Sequence, residues 1–345
     1  STSIERSNAA GIRRLPIMSP VRGRRTSKTR RSSGGNDEPV VGCGDPMSPV
    51  LARTAAAPIS WGICEVPGWG VQLPVDRVLP EMGELGFTAT ELGSVGYLPT
   101  EPGELRALLD QHDLDLAGGF NALALADPAV ADKALAQAAA SATLLAAAGA
   151  HTFVTCVVSD PDDWHRPELS ESEWAHMMRM LGEVDALCAD HGLVQAFHPH
   201  VDSLVETRDE ILRVVRASEV QWVLETGHMF IGGVDPGWFA REHAERVLLG
   251  HLKDVRADLA TRLNANELTL MEAVQEGLFV PLGTGDAKIA EVITALEAQG
   301  YDGWYVIEQD AAITGSLPEP GDGPIRDVED SVAFLRLHDT QLAAS

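Results

Sequence analysis

VQAFHPHVDSLVETRDEILRVVRASEVQWVLETGHMFIGGVDPGWFAREHAERVLLGHLKD, residues 194–254, holds three short apolar runs that each end in histidine or a carboxylate. The runs near 194–198, 222–225 and 248–252 have the length and composition of buried strands, and the stretches between them, 208–215 and 236–243, have helical period. Followed outward, the same alternation places strands near 59–64, 88–92, 114–119, 152–157 and 304–308, and helices near 75–85, 104–111, 129–148, 171–190, 287–299 and 328–341. Asp127-Pro128 reads as the opening of the third helix and Gly149 as its end, and Ser170 followed by Glu173 reads as a capping box. Eight strand–helix units over residues 58–345 predict an α/β fold, a single (β/α)8 TIM barrel, which typically takes about 250 residues and tolerates insertions. No glycine-rich dinucleotide fingerprint follows the first strand, which argues against a doubly wound nucleotide fold.

Charge separates the barrel from what precedes it. Residues 1–57 carry ten Arg or Lys against four acids, leaving 16 bases and 47 acids, or −31, for the remainder. That first stretch is rich in Ser, Gly and Pro and holds a basic run from Arg22 to Arg31, so it reads as a disordered, dispensable extension, with Met47 a sensible start and a basic arm for anionic partners the competing reading. A barrel so acidic repels a phosphate backbone, which argues against nucleic acid as a partner. Four cysteines, Cys43, Cys64, Cys156 and Cys188, are too few and too scattered for a disulfide framework. No apolar run reaches the ~18 residues of a membrane span and no signal-peptide pattern opens the chain. The expectation is a cytoplasmic protein with no membrane partner, and the oligomeric state stays open.

In such a barrel the chemistry sits at the C-terminal ends of the strands. Here those ends read Phe197-His198-Pro199-His200, Leu224-Glu225-Thr226-Gly227-His228, Gly250-His251-Leu252-Lys253-Asp254 and Ile307-Glu308-Gln309-Asp310. His198 to Glu225 and Glu225 to His251 are 27 and 26 residues, one unit each, so three neighbouring strands deliver their ends to one rim; the 57 residues from His251 to Glu308 leave room for a long insertion. His198, Glu225, His251 and Glu308 together suit a divalent ion, because imidazole favours borderline metals and carboxylate tolerates harder ones. Mn2+ or Co2+ is expected ahead of Zn2+, Fe2+ or Mg2+.

The motifs HPH, ETGH, HLKDV and IEQD, with the opening ISWGICEVPGWG and the TELG strand, resemble the xylose-isomerase-like sugar isomerase and epimerase superfamily, and within it the inosose dehydratase branch. The resemblance covers 58–337 and leaves the basic stretch out. It implies a TIM barrel with a Glu, Asp, His, Glu metal set at the ends of strands five to eight. Position by position, it puts His198 in place of the first Glu, Glu225 in place of the Asp, and His251 and Glu308 on the matching residues. It also likens His228 to the family's substrate-contacting histidine.

Other strand ends offer the rest of a pocket. Glu65, Glu91 and Asn121 are candidates for holding substrate hydroxyls, or for salt bridges and turn caps on the rim. Trp61 and Trp69 are candidates for an apolar wall against the C–H face of a polyol ring, or for core. Lys253, two residues past His251, shares its side of the strand and could polarise a carbonyl. The chemistry expected is proton removal beside a ketone to give an enediolate: Glu308, or His198 and His200, as base, and His228 or Lys253 protonating a departing hydroxyl. Dehydration, epimerisation and isomerisation share that intermediate, and the resemblance tilts the reading to a lyase acting on an inosose or related keto-cyclitol, a small polyol or keto-sugar. A metal-dependent endonuclease and a non-catalytic sugar-binding barrel are the readings from other classes.

Overall fold

The computed structural model describes residues 50–344. Eight parallel strands close a barrel: β1 (Thr54–Ala56), β2 (Ala89–Glu91), β3 (Asp115–Leu123), β4 (Thr152–Val157), β5 (Val194–Phe197), β6 (Gln221–Glu225), β7 (Val247–Leu252) and, after a two-stranded hairpin β8 (Asp254–Val255) and β9 (Phe279–Val280), the closing strand β10 (Trp304–Ile307). The helices are α1 (Val75–Leu85), α2 (Pro102–Gln111), α3 (Ala131–Ala147), α4 (Glu171–Asp190), α5 (Arg208–Ala217), α6 (Thr226–Ile231), α7 (Pro236–His243), α8 (Ala257–Asn264), α9 (Leu270–Gln275), α10 (Ile289–Glu297) and α11 (Pro324–Ala344). Among the described residues, no helix is long and apolar enough to cross a membrane.

Strand alternation organises the core. Ala55, Ala57, Ala89, Ala117, Val154, Ala196, Val223, Leu249 and Val306 point inward and fill the barrel, while the opposite faces pack against the helices. Alanines dominate this inner layer because eight strand faces converge on one axis and leave little volume for each side chain. Two residues further along five strands, the same inward face carries His198, Glu225, His251, Glu308 and Glu91. The barrel therefore sets the polar cluster directly above an apolar floor.

Two sequence expectations need correction here. The first strand is not 59–64 but Thr54–Ala56, which lies inside the stretch assigned to the 1–57 extension, so the 57/58 domain boundary falls within the barrel. Pro58–Trp61 is a 3-10 turn with Pro at its first position and Gly62 closing it at φ +83°. Asp127 accepts the Ala129 N–H in a turn ahead of α3 rather than capping the helix. The Ser170–Glu173 capping box and the Gly149 stop are present as expected. Residues 1–49, with the basic run and Met47, lie outside the described residues.

The insertion after β7 is hooked to the barrel by one carboxylate. Asp254, fully buried, accepts N–H groups from Val255, Gly283, Gly285 and Ala287 at 2.8–3.0 Å. A Cβ on Gly285 would lie 2.5 Å from Asp254 Oδ1, so this approach requires glycine.

Candidate metal centre

The ligand-bearing atoms of His198, Glu225, His251 and Glu308 all lie within 4.8 Å of one another. His251 Nδ1 is 3.2 Å from Glu225 Oε2 and also abuts Glu308 Oε2, and His198 Nε2 is 3.5 Å from Glu225 Oε2. None of these facing atoms has a hydrogen-bond partner, nor does His198 Nδ1. Leaving so many buried lone pairs unmatched is costly, and a cation among them removes the cost. Two imidazoles with two carboxylates fit a divalent ion of the borderline class.

The surroundings aim these atoms. His251 Nε2 lies 3.1 Å from Glu91 Oε1, which holds the ring with Nδ1 toward the cluster. Glu225 accepts the Gly227 N–H at 3.0 Å with Oε1, at the start of α6, which leaves Oε2 for the cluster. The longer glutamate thus reaches both a helix end and the centre. Burial opposes the charge on Glu225, but Lys253 and the two neighbouring histidines hold it well below the usual carboxylate range. Burial likewise opposes charge on His251, yet Glu308 and Glu91 lift it well above the usual histidine range, so a proton competes with a cation for this position.

Of the two readings of Glu91, substrate contact or a salt bridge on the rim, the structure shows the ion pair, with His251 as its partner. Glu91→Ala should weaken metal binding by about 10- to 100-fold, the usual effect of losing such an outer partner, whereas Glu91→Gln, which still accepts the Nε2 proton, should lose far less. Metal titration of the two variants checks this, and equal losses would contradict it.

Beside the cluster, Lys253 is fully buried with its ammonium 2.8 Å from Asp310, 3.2 Å from Glu308 and 3.1 Å from His228 Nε2, and 5.0 Å from the centre of the Phe279 ring in β9. Burial disfavours its charge, but Asp310, Glu225 and Glu308 outweigh that and hold the lysine well above its ordinary range. A Cβ on Gly227 would meet the Lys253 stem at 2.8 Å, so the ETGH glycine lets that stem pass. His228 and His200 lie with ring centres 3.7 Å apart, and burial with neighbouring positive groups pushes His200 down to about 3 and His228 well below its usual value. Both imidazoles are neutral near pH 7. Alone of the four cluster residues, Glu308 keeps part of its side chain open, 13 %.

Of the other candidates for substrate contact, Trp61 and Asn121 are engaged away from the cluster. Trp61 is fully buried and donates its indole N–H to Glu81 on α1 at 2.8 Å, so it is core. Glu65 is exposed on the loop after the 3-10 turn, with no ion pair to the cluster among the described residues. Asn121 donates to Gly119 and Val154 carbonyls and accepts from Ser141 on α3, which turns it outward and satisfies it. The cause is a register slip: Thr90 and Glu91 pair with Leu116 and Gly118, so β3 carries an extra residue and Phe120, not Asn121, faces the interior. Trp69 is also nearly buried, tied to the Ala311 carbonyl at 2.7 Å. Phe120 and Trp164 at the mouth were missed, because their inward aim depends on that slip and on the 158–170 loop.

A family model described as Xylose isomerase-like TIM barrel matches residues 80–338. An inosose dehydratase of Geobacillus kaustophilus (strain HTA426) is 31% identical over 275 residues, covering 76% of this chain and 89% of that protein. The rhizopine catabolism protein MocC of Rhizobium meliloti is 32% identical over 266 residues, covering 74% of this chain and 81% of that one. Among solved structures, the IolI protein with a bound zinc atom superposes with a TM-score of 0.63 at 12% identity, covering 84% of this chain and 98% of that chain.

Proposed function

Because the chain belongs to the xylose isomerase-like TIM barrel family, we propose that it is a metal-dependent lyase that dehydrates an inosose or a related keto-cyclitol. The observation that carries this is the convergence of four unpartnered ligand atoms at the barrel mouth, beside a buried lysine and two neutral imidazoles. His198, Glu225, His251 and Glu308 hold the ion, with Mn2+ or Co2+ ahead of Zn2+, Fe2+ or Mg2+. When bound, the ion supplies Lewis acidity that draws charge from the ketone oxygen and its neighbouring hydroxyl.

Glu308 takes the proton from the carbon beside the ketone, being the cluster carboxylate open to the mouth, with His200 as the other candidate base. The bond electrons move toward the carbonyl, and the hydroxyl on the next carbon leaves as water with a proton from His228 or Lys253. Of the two, the Lys253 ammonium is the group that carries an ionisable proton near pH 7, beside Glu308, whereas a neutral His228 would have to leave as imidazolate and serves instead to orient the departing hydroxyl by hydrogen bond. The same ammonium stabilises the developing oxyanion.

The test is turnover of a keto-cyclitol in deuterium oxide by metal-loaded protein. Deuterium exchange or elimination at the carbon beside the ketone, stopped by a chelator and restored by added metal, is the expected result. Metal-loaded protein that shows neither with a panel of inososes and keto-sugars is not such a lyase.

A further inference from the structure

Three half-buried aromatic rings line one side of the mouth. Phe120 lies at the inward face of β3, Trp164 on the 158–170 loop and His200 just past β5. The Phe120 and Trp164 rings are near-parallel, 26° apart with centres 6.3 Å distant, and His200 lies 6.0 Å and 5.0 Å from them. Phe120 also meets His198 edge-on at 5.4 Å, so this wall is continuous with the ligand cluster. Around the barrel, β3, β4 and β5 stand on one side of the cluster, and β7 and β10, with Lys253, Glu308 and Asp310, on the other. The site is two-sided: aromatic on one flank, with the Phe120 and Trp164 rings near-parallel and His200 turned across them, and charged and hydrogen-bonding on the opposite one.

We propose that Phe120 and Trp164 form a platform for the C–H face of a closed six-membered ring, making the site selective for cyclitols over open-chain polyols of equal hydroxyl number. The proposal rests on the sugar-like substrate of the preceding section and adds which residues discriminate its shape. A cyclohexane ring with mostly equatorial hydroxyls presents a flat patch of C–H bonds above and below while its oxygens project around the edge. Against Phe120 and Trp164 that patch is desolvated without stranding a hydroxyl, and the edge oxygens reach the cluster and the charged flank. An open-chain hexitol has no persistent flat face; to cover the same rings it must fix several torsions and turn hydroxyls onto them.

The experiment is calorimetric binding of myo-inositol and sorbitol to metal-loaded protein, for the natural chain and for Trp164→Ala, Phe120→Ala and Trp164→Phe. Myo-inositol binding should weaken about tenfold in each alanine variant and stay within about threefold in Trp164→Phe, while sorbitol binding changes less than about twofold throughout. Metal content is measured in every sample, so a loss that follows the ion is separated from one that follows the platform. Equal weakening for both ligands at unchanged metal content, no weakening for either, or failure of the natural chain to prefer the cyclitol overturns the proposal. Binding needs no turnover, so an inosose that binds through the platform and is never dehydrated sinks the lyase reading alone. Dehydration indifferent to both alanine variants sinks only the platform.

Discussion

Glu308→Gln should lower turnover by about 10²- to 10⁴-fold, the range for losing a positioned general base, while the protein keeps its fold and part of its metal. The carboxylate sits between His251 Nδ1 and the Lys253 ammonium, 3.2 Å from the latter. An amide of the same shape still offers an oxygen to a cation but cannot accept the substrate proton. The steady-state rate and the metal content are measured on one preparation, which separates the two roles. Full activity in the variant would move the base to His200 with His198 beside it.

Lys253→Met should cost about 3–5 kcal/mol of unfolding free energy, the usual penalty for stripping one partner from a buried ion pair. Methionine fills a similar volume, so the loss comes from the carboxylates of Asp310, Glu308 and Glu225, which lose the positive charge that compensates them. Urea unfolding of metal-free protein at pH 8 reads this directly. Burial, opposed by Lys253 and reinforced by Glu308, already pushes Asp310 up to about 6. A loss below about 1 kcal/mol would show that Asp310 takes up a proton in place of the lysine charge and that the pair contributes little.

The barrel and the convergence of these four residues were legible because strand ends in this fold have a fixed address: a carboxylate or imidazole two residues past an inward apolar residue reaches the mouth whatever the loops do. Ala196 and His198, Val223 and Glu225, Leu249 and His251, Val306 and Glu308 each follow that rule. The first strand was not legible. Ala55 and Ala56 have little strand propensity, and closure of the sheet against Tyr305–Ile307 makes Thr54–Ala56 a strand, whereas the alternating Ile59, Trp61 and Ile63 carry a strand-like pattern across a 3-10 turn and the residues after it. Asn121 failed for a related reason, since the slip in β3 inverts which side chain looks inward and no local pattern announces it. Glu91 was recognised as a site residue, but its task of steadying His251 depends on a contact across 160 positions of chain.

The end of β7 also has a meaning for anyone who would edit this protein. In four consecutive residues the chain sets down a member of the cluster, His251, a buried cation, Lys253, and the carboxylate of Asp254 that gathers the returning insertion. The insertion repays the connection, because its Phe279 ring lies over the lysine ammonium and beside His228. Trimming that excursion to make a smaller enzyme, or transplanting it from a relative to borrow a specificity, is therefore not a change at the periphery. It redraws one wall around the polar cluster and loosens the strand end that carries His251 and Lys253, so loop and strand end have to be exchanged as one cassette.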